Sequence, residues 1–364
     1  MSNLDYVNAV VLLLILTWVS LGKRNDFQID GSIILKDTTS FLKAVCCVSI
    51  ILHHFALRKS GSPLSEVFEV GGAYFSVPMF FLLSSYGVCK SEIANPTTGK
   101  TFINHRLGKL LAPFIVVNIL TLITYHICGA NCSLDELPAA RVNESFVLIG
   151  SNHYGLLDYL MSALGLKEID AAMWFVYIII YSYIAFLVSK MLFNYKYQTG
   201  KTVMLFTALV AILFFVLFIL KVPIHIYRSL WAIAFGAVLY WIEKRFDTIL
   251  KRCVIMVIAF VILILPIVYI ERNMIMLFCA IFIPITLIGV GCINRYFEIK
   301  KSSIIALLSS CSYLIYLVHV KVLTLQWWYI GYRSALLAVL LSLLAAMLYK
   351  EISTRISMLR MKIL

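Results

Sequence analysis

The sequence predicts an all-α fold, a polytopic bundle of transmembrane helices, and two observations support this prediction. Apolar residues make up 62% of the 364 positions and charged residues only 13%, whereas soluble domains carry roughly 45–50% apolar and about 25% charged residues. Apolar windows of about 20 residues, long enough to cross a hydrocarbon layer of ~30 Å, also recur along the whole chain. These windows leave no room for a separate soluble domain.

About eleven spans are predicted from these windows. They lie at residues 6–22, 40–57, 73–89, 108–127, 173–193, 202–220, 226–243, 253–270, 274–292, 304–327 and 333–349. The first is expected to be a retained helix rather than a signal peptide, because no Lys or Arg precedes it. The chain then divides into an additional N-terminal span with its loop (1–39), a ten-span core (40–350) and a short basic tail (351–364).

Basic residues cluster in the loops on one side of the predicted bundle. The clusters are Lys23, Arg24 and Lys36; Lys90, Lys100, Arg106 and Lys109; Lys190, Lys196 and Lys201; Lys244, Arg245, Lys251 and Arg252; Arg295, Lys300 and Lys301; and Lys350, Arg355, Arg360 and Lys362. Because basic loops are retained in the cytoplasm, the pattern places the N-terminus outside and the C-terminus in the cytoplasm. It also accounts for the net charge of +13 without a nucleic-acid partner.

The longest predicted connection, about 128–172, falls on the outer side. A loop of this length is usually functional or disordered, and its apolar stretch is expected to form an interfacial helix or a lid. Cys128 and Cys132 at its start are candidates for a disulfide. No Cys/His spacing in the chain predicts a metal site.

The second span carries a lysine and a histidine within its apolar stretch. Lys43 and His54 are eleven positions apart, which corresponds to three helical turns plus about 20° and an axial separation of about 16 Å. Both side chains therefore project from one helix face. Ionisable groups at membrane depth mark functional sites by default. The alternative is that Lys43 reaches the lipid headgroups and His54 lies in the outer interface.

Further polar residues lie near the predicted cytoplasmic side. Ser84 and Tyr86 belong to the third span, where small and hydroxylic side chains either line a cavity or allow close helix packing. Arg106 and Lys109 are three positions apart where the fourth span enters the membrane. Such a pair suits phosphate groups, and the alternative is ordinary positive-inside anchoring.

Two stripes of polar or aromatic side chains follow helical spacing. The tenth span carries Ser309, Ser312, Tyr316 and His319. This stripe predicts a helix face turned away from lipid, and it places His319 at a depth comparable with His54. Trp174 and Tyr177 begin a second stripe on the fifth span, where the alternative for Trp174 is the aromatic belt at the membrane surface.

These segments, in this order, resemble the acyltransferase-3 family of bacterial membrane acyltransferases. Lys43 and His54 match the family's basic-x10-His signature, and the other similar segments are, in chain order, SVPMFFLLSSYGV, HRLGKLLAPF, MWFVYIIIYSY and SYLIYLVH. The resemblance covers about residues 40 to 350. Two positions depart from the family pattern, since Ser85 replaces a glycine and Lys109 an arginine. A lysine binds phosphate as a point charge, without the bidentate fork of arginine.

The resemblance implies an O-acyltransferase of the bacterial inner or plasma membrane. Its stand-alone branch moves an acyl group, usually acetyl from cytoplasmic acetyl-CoA, to a hydroxyl of an envelope glycan or a lipid-linked sugar. Acyl-CoA is then a donor substrate, and no permanently bound cofactor is expected. The implied roles are donor binding by Lys43, Arg106, Lys109, Ser84 and Tyr86; catalysis by His54, as a general base or a transient acyl carrier, with Tyr316 and His319 orienting it or the acceptor; and acceptor binding by Trp174 and Tyr177.

Two functions of other classes fit the same residues. Intramembrane His and Lys also serve proton relays, so a transporter or flippase for a polyprenyl-linked or anionic solute is the main alternative. A sensory membrane subunit without catalysis is the other. Consumption of acetyl-CoA distinguishes an acyltransferase from both.

Overall fold

The computed structural model describes residues 4–23, 34–58, 62–127, 157, 160–161, 173–193, 198–271, 274–299, 302–326 and 334–363. Its helices are α1 (Leu4–Ser20), α2 (Lys36–Arg58), α3 (Pro63–Gly71), α4 (Val77–Ala94), α5 (Gly99–Phe102), α6 (Gly108–Ile127), α7 (Trp174–Leu192), α8 (Thr199–Ile219), α9 (Ile224–Tyr227), α10 (Leu230–Arg245), α11 (Ile249–Glu271), α12 (Met274–Tyr296), α13 (Ser303–Leu325) and α14 (Ala335–Ile363). Two π-helical turns, Gly72–Ser76 and Ile103–Leu107, precede α4 and α6.

Each of the eleven predicted spans falls on a helix, and the all-α polytopic bundle is confirmed. Among the described residues, seven helical segments are both long and apolar enough to cross a membrane. They are Lys36–Arg58, Pro63–Ala94, Trp174–Leu192, Thr199–Ile219, Leu250–Ile270, Ser303–Leu323 and Ala335–Ile352. The count of eleven crossings stays a prediction.

The chain between α2 and α4 is shaped by local hydrogen bonds. Ser62 and Ser65 form a capping box at the start of α3, which satisfies backbone N–H groups that have no partner within the helix. After α3 the backbone passes through the π-helical turn Gly72–Ser76 without leaving the helical path. The side chain of Ser76 then donates to Ser49 Oγ of α2 at 2.8 Å. The bond between Ser76 and Ser49 fixes the end of this segment against α2.

Helices α4 and α10 approach closely at a glycine. A methyl group built at Gly236 would collide with Ser85 Oγ and the carbonyl oxygen of Leu82. Small residues allow such backbone contact between membrane helices, where van der Waals packing is a main source of stability. Elsewhere α2 packs along α13, and α13 along α14.

A two-stranded antiparallel sheet joins two of the predicted basic loops. Strand β1 (Leu21–Lys23) pairs with β2 (Phe297–Ile299), with Leu21 opposite Ile299. The loops after the first and ninth predicted spans therefore lie on the same side, as the charge pattern requires. The predicted outer connection lies almost wholly outside the described residues, as do Cys128 and Cys132.

Candidate active site

The packing of α2 against α13 brings two intramembrane histidines together. The ring centroids of His54 and His319 are 4.9 Å apart, and the rings are tilted by 50°. Both side chains are buried, with relative exposures of 9% and 0%. The sequence placed the two residues at comparable depth on separate helices, and the structure brings them into contact.

The tautomer of His319 follows from its hydrogen bond. Its Nδ1 lies 2.6 Å from the carbonyl oxygen of Tyr316, one turn earlier in α13. A carbonyl oxygen only accepts, so Nδ1 carries the proton, and in the neutral ring the lone pair lies on Nε2. His319 is therefore held in one orientation with Nε2 as its acceptor atom.

A cavity of about 170 Å³ lies between Lys43 and Tyr316. Its polar lining consists of Lys43, Ser84, Tyr183, Ser312, Tyr313 and Tyr316. At its far end the Tyr316 ring lies 4.5 Å from Phe175 and 5.5 Å from His319, measured between centroids. Among the described residues that line the cavity there is no histidine. The ring of Tyr316 thus stands between the cavity and the histidine pair.

The cavity wall is held by two tyrosine hydroxyls that the sequence did not single out. Tyr183 of α7 lies 3.3 Å from Ser84 Oγ of α4, and Tyr313 of α13 donates to the carbonyl oxygen of Leu110 in α6 at 2.7 Å. Tyr313 lies three positions before Tyr316, so it extends the predicted polar stripe of α13. No comparable signal pointed to Tyr183.

The basic segment before α6 brings one arginine into electrostatic range of Lys43, at one end of the cavity. Arg106 is partly buried, donates to Ser91 Oγ, and lies within electrostatic range of Lys43. Lys109 is exposed. The sequence assumed α-helical spacing for these two residues, but Arg106 belongs to the π-helical turn Ile103–Leu107. A π-helical turn contains one more residue per hydrogen bond than an α-helical turn, so Arg106 and Lys109 do not share one helix face as predicted. Arg106 is accordingly partly buried, whereas Lys109 is exposed.

A buried ion pair, also absent from the sequence predictions, holds the loop that leads into this segment. Lys190 of α7 pairs with Glu92 of α4 and donates to the carbonyl oxygen of Thr97 at 2.6 Å. The Thr97 hydroxyl in turn donates to Glu92 at 2.9 Å. Relative exposure of the charged side chains is 12% for Lys190 and 3% for Glu92. We call this cluster of Glu92, Thr97 and Lys190 the loop clamp.

Tyr86 lies away from the cavity, in the contact between α4 and α10. Its hydroxyl donates to Glu243 Oε2 at 2.7 Å, and its ring lies 5.8 Å from that of Tyr240. Ser84, two positions earlier, does line the cavity. Of the two residues predicted to bind the donor from the third span, Ser84 therefore lines the cavity and Tyr86 lies in the contact between α4 and α10.

Trp174 and Tyr177 stand at the N-terminal end of α7, in an aromatic cluster. The Trp174 ring lies 6.0 Å from Phe81 and 6.3 Å from His225, and the Tyr177 ring lies 5.7 Å from Phe114. Phe175, between them in sequence, is the residue of this segment that reaches the cavity.

Comparison with known proteins gives a family for this arrangement. A family model described as an acyltransferase domain, Acyl_transf_3, matches residues 40–350, which is most of the chain. The chain belongs to the acyltransferase-3 family. No curated protein and no solved structure matches it significantly. In this acyltransferase the histidine pair, the cavity, the basic segment and the loop clamp all lie within the matched range, whereas α1 and β1 precede it.

Proposed function

We propose that this membrane acyltransferase moves an acetyl group from cytoplasmic acetyl-CoA to a hydroxyl of a cell-surface or exopolysaccharide sugar. It would act in the bacterial plasma membrane with its N-terminus outside and its C-terminus in the cytoplasm. The observation that supports this most directly is one continuous row of groups: Lys43, the cavity, Tyr316, His319 and His54.

The lysine end of this row suits the donor. CoA carries several phosphates, and Lys43 and Arg106 supply cationic donors for charge-assisted hydrogen bonds. The exposed Lys109, three positions after Arg106, is proposed to add a further cation. The acyl-pantetheine arm is slender and less charged, which fits a cavity with hydroxyl groups and aromatic rings on its walls. Lys43 and His54 are separated by about 16 Å along α2, so an extended arm is needed to bridge them.

The histidine end suits the chemistry of acyl transfer. A sugar hydroxyl is a poor nucleophile until a base accepts its proton, and histidine titrates near neutrality. We assign this role to His54, positioned by His319. The hydroxyl oxygen then forms a bond to the thioester carbonyl carbon, the carbon–sulfur bond breaks, and the CoA thiolate leaves and takes up the proton from His54. Trp174 and Tyr177 are proposed to contact the acceptor from the outer end.

The test is thiol release by the full-length protein in lipid nanodiscs. An acyltransferase releases free CoA thiol from acetyl-CoA, faster when extracted envelope glycan is added, and the glycan gains the acetyl mass. A transporter leaves acetyl-CoA intact under all conditions. Absence of thiol release with a complete glycan extract from the native cell would contradict the proposed function.

A further inference from the structure

An arginine lies within electrostatic range of His53, the residue before the candidate base, at the end of the bundle opposite the basic loops. Arg228 follows the short helix α9 (Ile224–Tyr227) and is partly buried. Its guanidinium carbon lies 4.5 Å from the centroid of the Tyr74 ring, and its Nη1 donates to the Tyr74 hydroxyl at 3.3 Å. Stacking and hydrogen bond together hold the guanidinium plane in place.

The tyrosine beneath Arg228 is anchored beside the candidate base. Tyr74 belongs to the π-helical turn Gly72–Ser76, and Gly72 approaches His53 so closely that a methyl group at this position would collide with the imidazole. His53 itself donates from Nδ1 to the carbonyl oxygen of Glu69 at 2.6 Å. His53 precedes His54, and Arg228 lies within its electrostatic range. Arg228 is therefore connected, through Tyr74 and its π-helical turn, to the part of α2 that carries His54.

The Arg228 guanidinium has more N–H donors than its contact with Tyr74 uses. Arginine offers five N–H groups in a planar fork, and Tyr74 uses one of them. Within the described parts of the chain, no carboxylate forms an ion pair with Arg228. A partly buried cation at the membrane boundary favours an anionic partner, and the fork geometry matches a carboxylate or a phosphate.

The same short helix reaches the proposed acceptor contact. His225 of α9 has its ring 6.3 Å from Trp174, so α9 links the aromatic cluster to Arg228. Arg228 follows His225 by three positions, so a sugar at Trp174 has the guanidinium on the same short segment of chain. A neutral sugar offers the guanidinium only hydroxyl oxygens, which form weaker hydrogen bonds with it than the oxygens of a carboxylate or a phosphate.

We propose that Arg228, supported by Tyr74, binds an anionic group of the acceptor: the carboxylate of an acidic sugar or the phosphate of a sugar phosphate. This rests on the proposed function, because it names the acceptor class of the same site. Binding is nevertheless separable from acyl transfer, so the two can fail independently.

The test is ligand binding to the full-length protein in phosphatidylcholine nanodiscs, followed by ligand-detected NMR. The probes are glucose 1-phosphate, glucuronate and neutral glucose, with inorganic phosphate as competitor. We expect both anionic sugars to bind at least about tenfold more tightly than glucose, the factor that one charge-assisted hydrogen bond supplies. Inorganic phosphate alone should compete weakly, because it lacks the sugar ring.

Substitutions test whether Arg228 causes the preference for anionic sugars. Arg228→Gln should remove the preference for anionic sugars, and Arg228→Lys, which keeps the charge, should retain part of it. Lys221→Gln is the matched control, since Lys221 is an exposed cation in the segment just before α9. His54→Ala should keep the preference for anionic sugars over glucose although it fails in acyl transfer. Thermal unfolding checks that each variant is folded.

Three results would overturn the proposal. They are equal affinity for all three sugars, a preference that survives Arg228→Gln, and an equal loss in Lys221→Gln. An arginine occupied by a lipid phosphate of the outer leaflet gives the first result, because soluble anionic sugars would then gain nothing from it over glucose. A protein that prefers anionic sugars but releases no thiol from acetyl-CoA would contradict the proposed function. The assignment of Arg228 as an anion-binding residue would be unaffected by that result.

Discussion

The imidazole rings of His54 and His319 lie 4.9 Å apart, one on α2 and one on α13. His319 is fixed by its bond to the carbonyl oxygen of Tyr316, and His54 lies one residue beyond His53, which is bound to α3. The His319 ring is thus held by the backbone of its own helix, and His54 directly follows a residue that is anchored to α3. Such fixation is what a positioned base requires, because proton transfer depends on geometry before it depends on basicity.

Lys43 is expected to set the affinity for the donor. Lys43→Met removes one cation from the mouth of the cavity, and loss of a charge-assisted hydrogen bond of about 1.5–3 kcal/mol should raise the KM for acetyl-CoA about tenfold or more. The rate at saturating donor should change little. Lys36→Met is the control, because Lys36 is exposed at the start of the same helix. An unchanged KM in Lys43→Met would reject its role in donor binding.

Tyr316 is expected to keep water from the acyl group. Its ring separates the cavity from the histidine pair, so Tyr316→Ala should open this boundary. Acetyl-CoA hydrolysis without any acceptor should then rise several-fold, whereas Tyr316→Phe, which keeps the ring, should hydrolyse it as slowly as the wild type. Equal acceptor-free thiol release from all three proteins would show that the ring is no barrier.

The loop clamp is expected to stabilise the basic segment. Glu92→Gln leaves Lys190 charged and buried, and breaking one side of a buried ion pair costs about 3–5 kcal/mol. We therefore expect a lower unfolding temperature and a higher KM for acetyl-CoA. The double variant Glu92→Gln with Lys190→Met removes both charges and should recover part of the stability. Glu66→Gln, on an exposed acid of α3, is the control.

The contact between α4 and α10 leaves no space for a side chain at Gly236. Gly236→Ala should separate the helices and destabilise the protein by about 1–3 kcal/mol, as overpacking usually does. Gly87→Ala on α4 is the matched control, because nothing lies within 4 Å of a methyl group built there. Equal thermal unfolding temperatures for the two variants would contradict this account of the contact.

The spans were predictable because lipid forces the backbone to satisfy its own hydrogen bonds. Apolar windows therefore located every long helix, and helical periodicity placed Lys43 and His54 on one face of α2. Lateral neighbours were not predictable in the same way. The contact of His54 with His319, the loop clamp and the stacking of Arg228 on Tyr74 each join residues from separate helices or turns, and no local spacing encodes such pairs.

The two π-helical turns show a further limit of sequence periodicity. Arg106 and Lys109 were assigned to one face under α-helical spacing, but the turn Ile103–Leu107 departs from it. The turn Gly72–Ser76 likewise precedes α4 and presents Tyr74 to Arg228. Wider turns of this kind recur at functional sites, and hydropathy alone does not reveal them.

Thiol release by His54→Ala is the most direct test of the enzymatic role of the histidine pair. The variant should insert into the membrane and unfold at a temperature close to that of the wild type. Its acceptor-dependent release of CoA thiol should fall by about 10²–10⁴-fold, the usual contribution of a general base. Release within a few-fold of the wild-type rate, from equal amounts of folded protein, would contradict the assignment of His54 as the base.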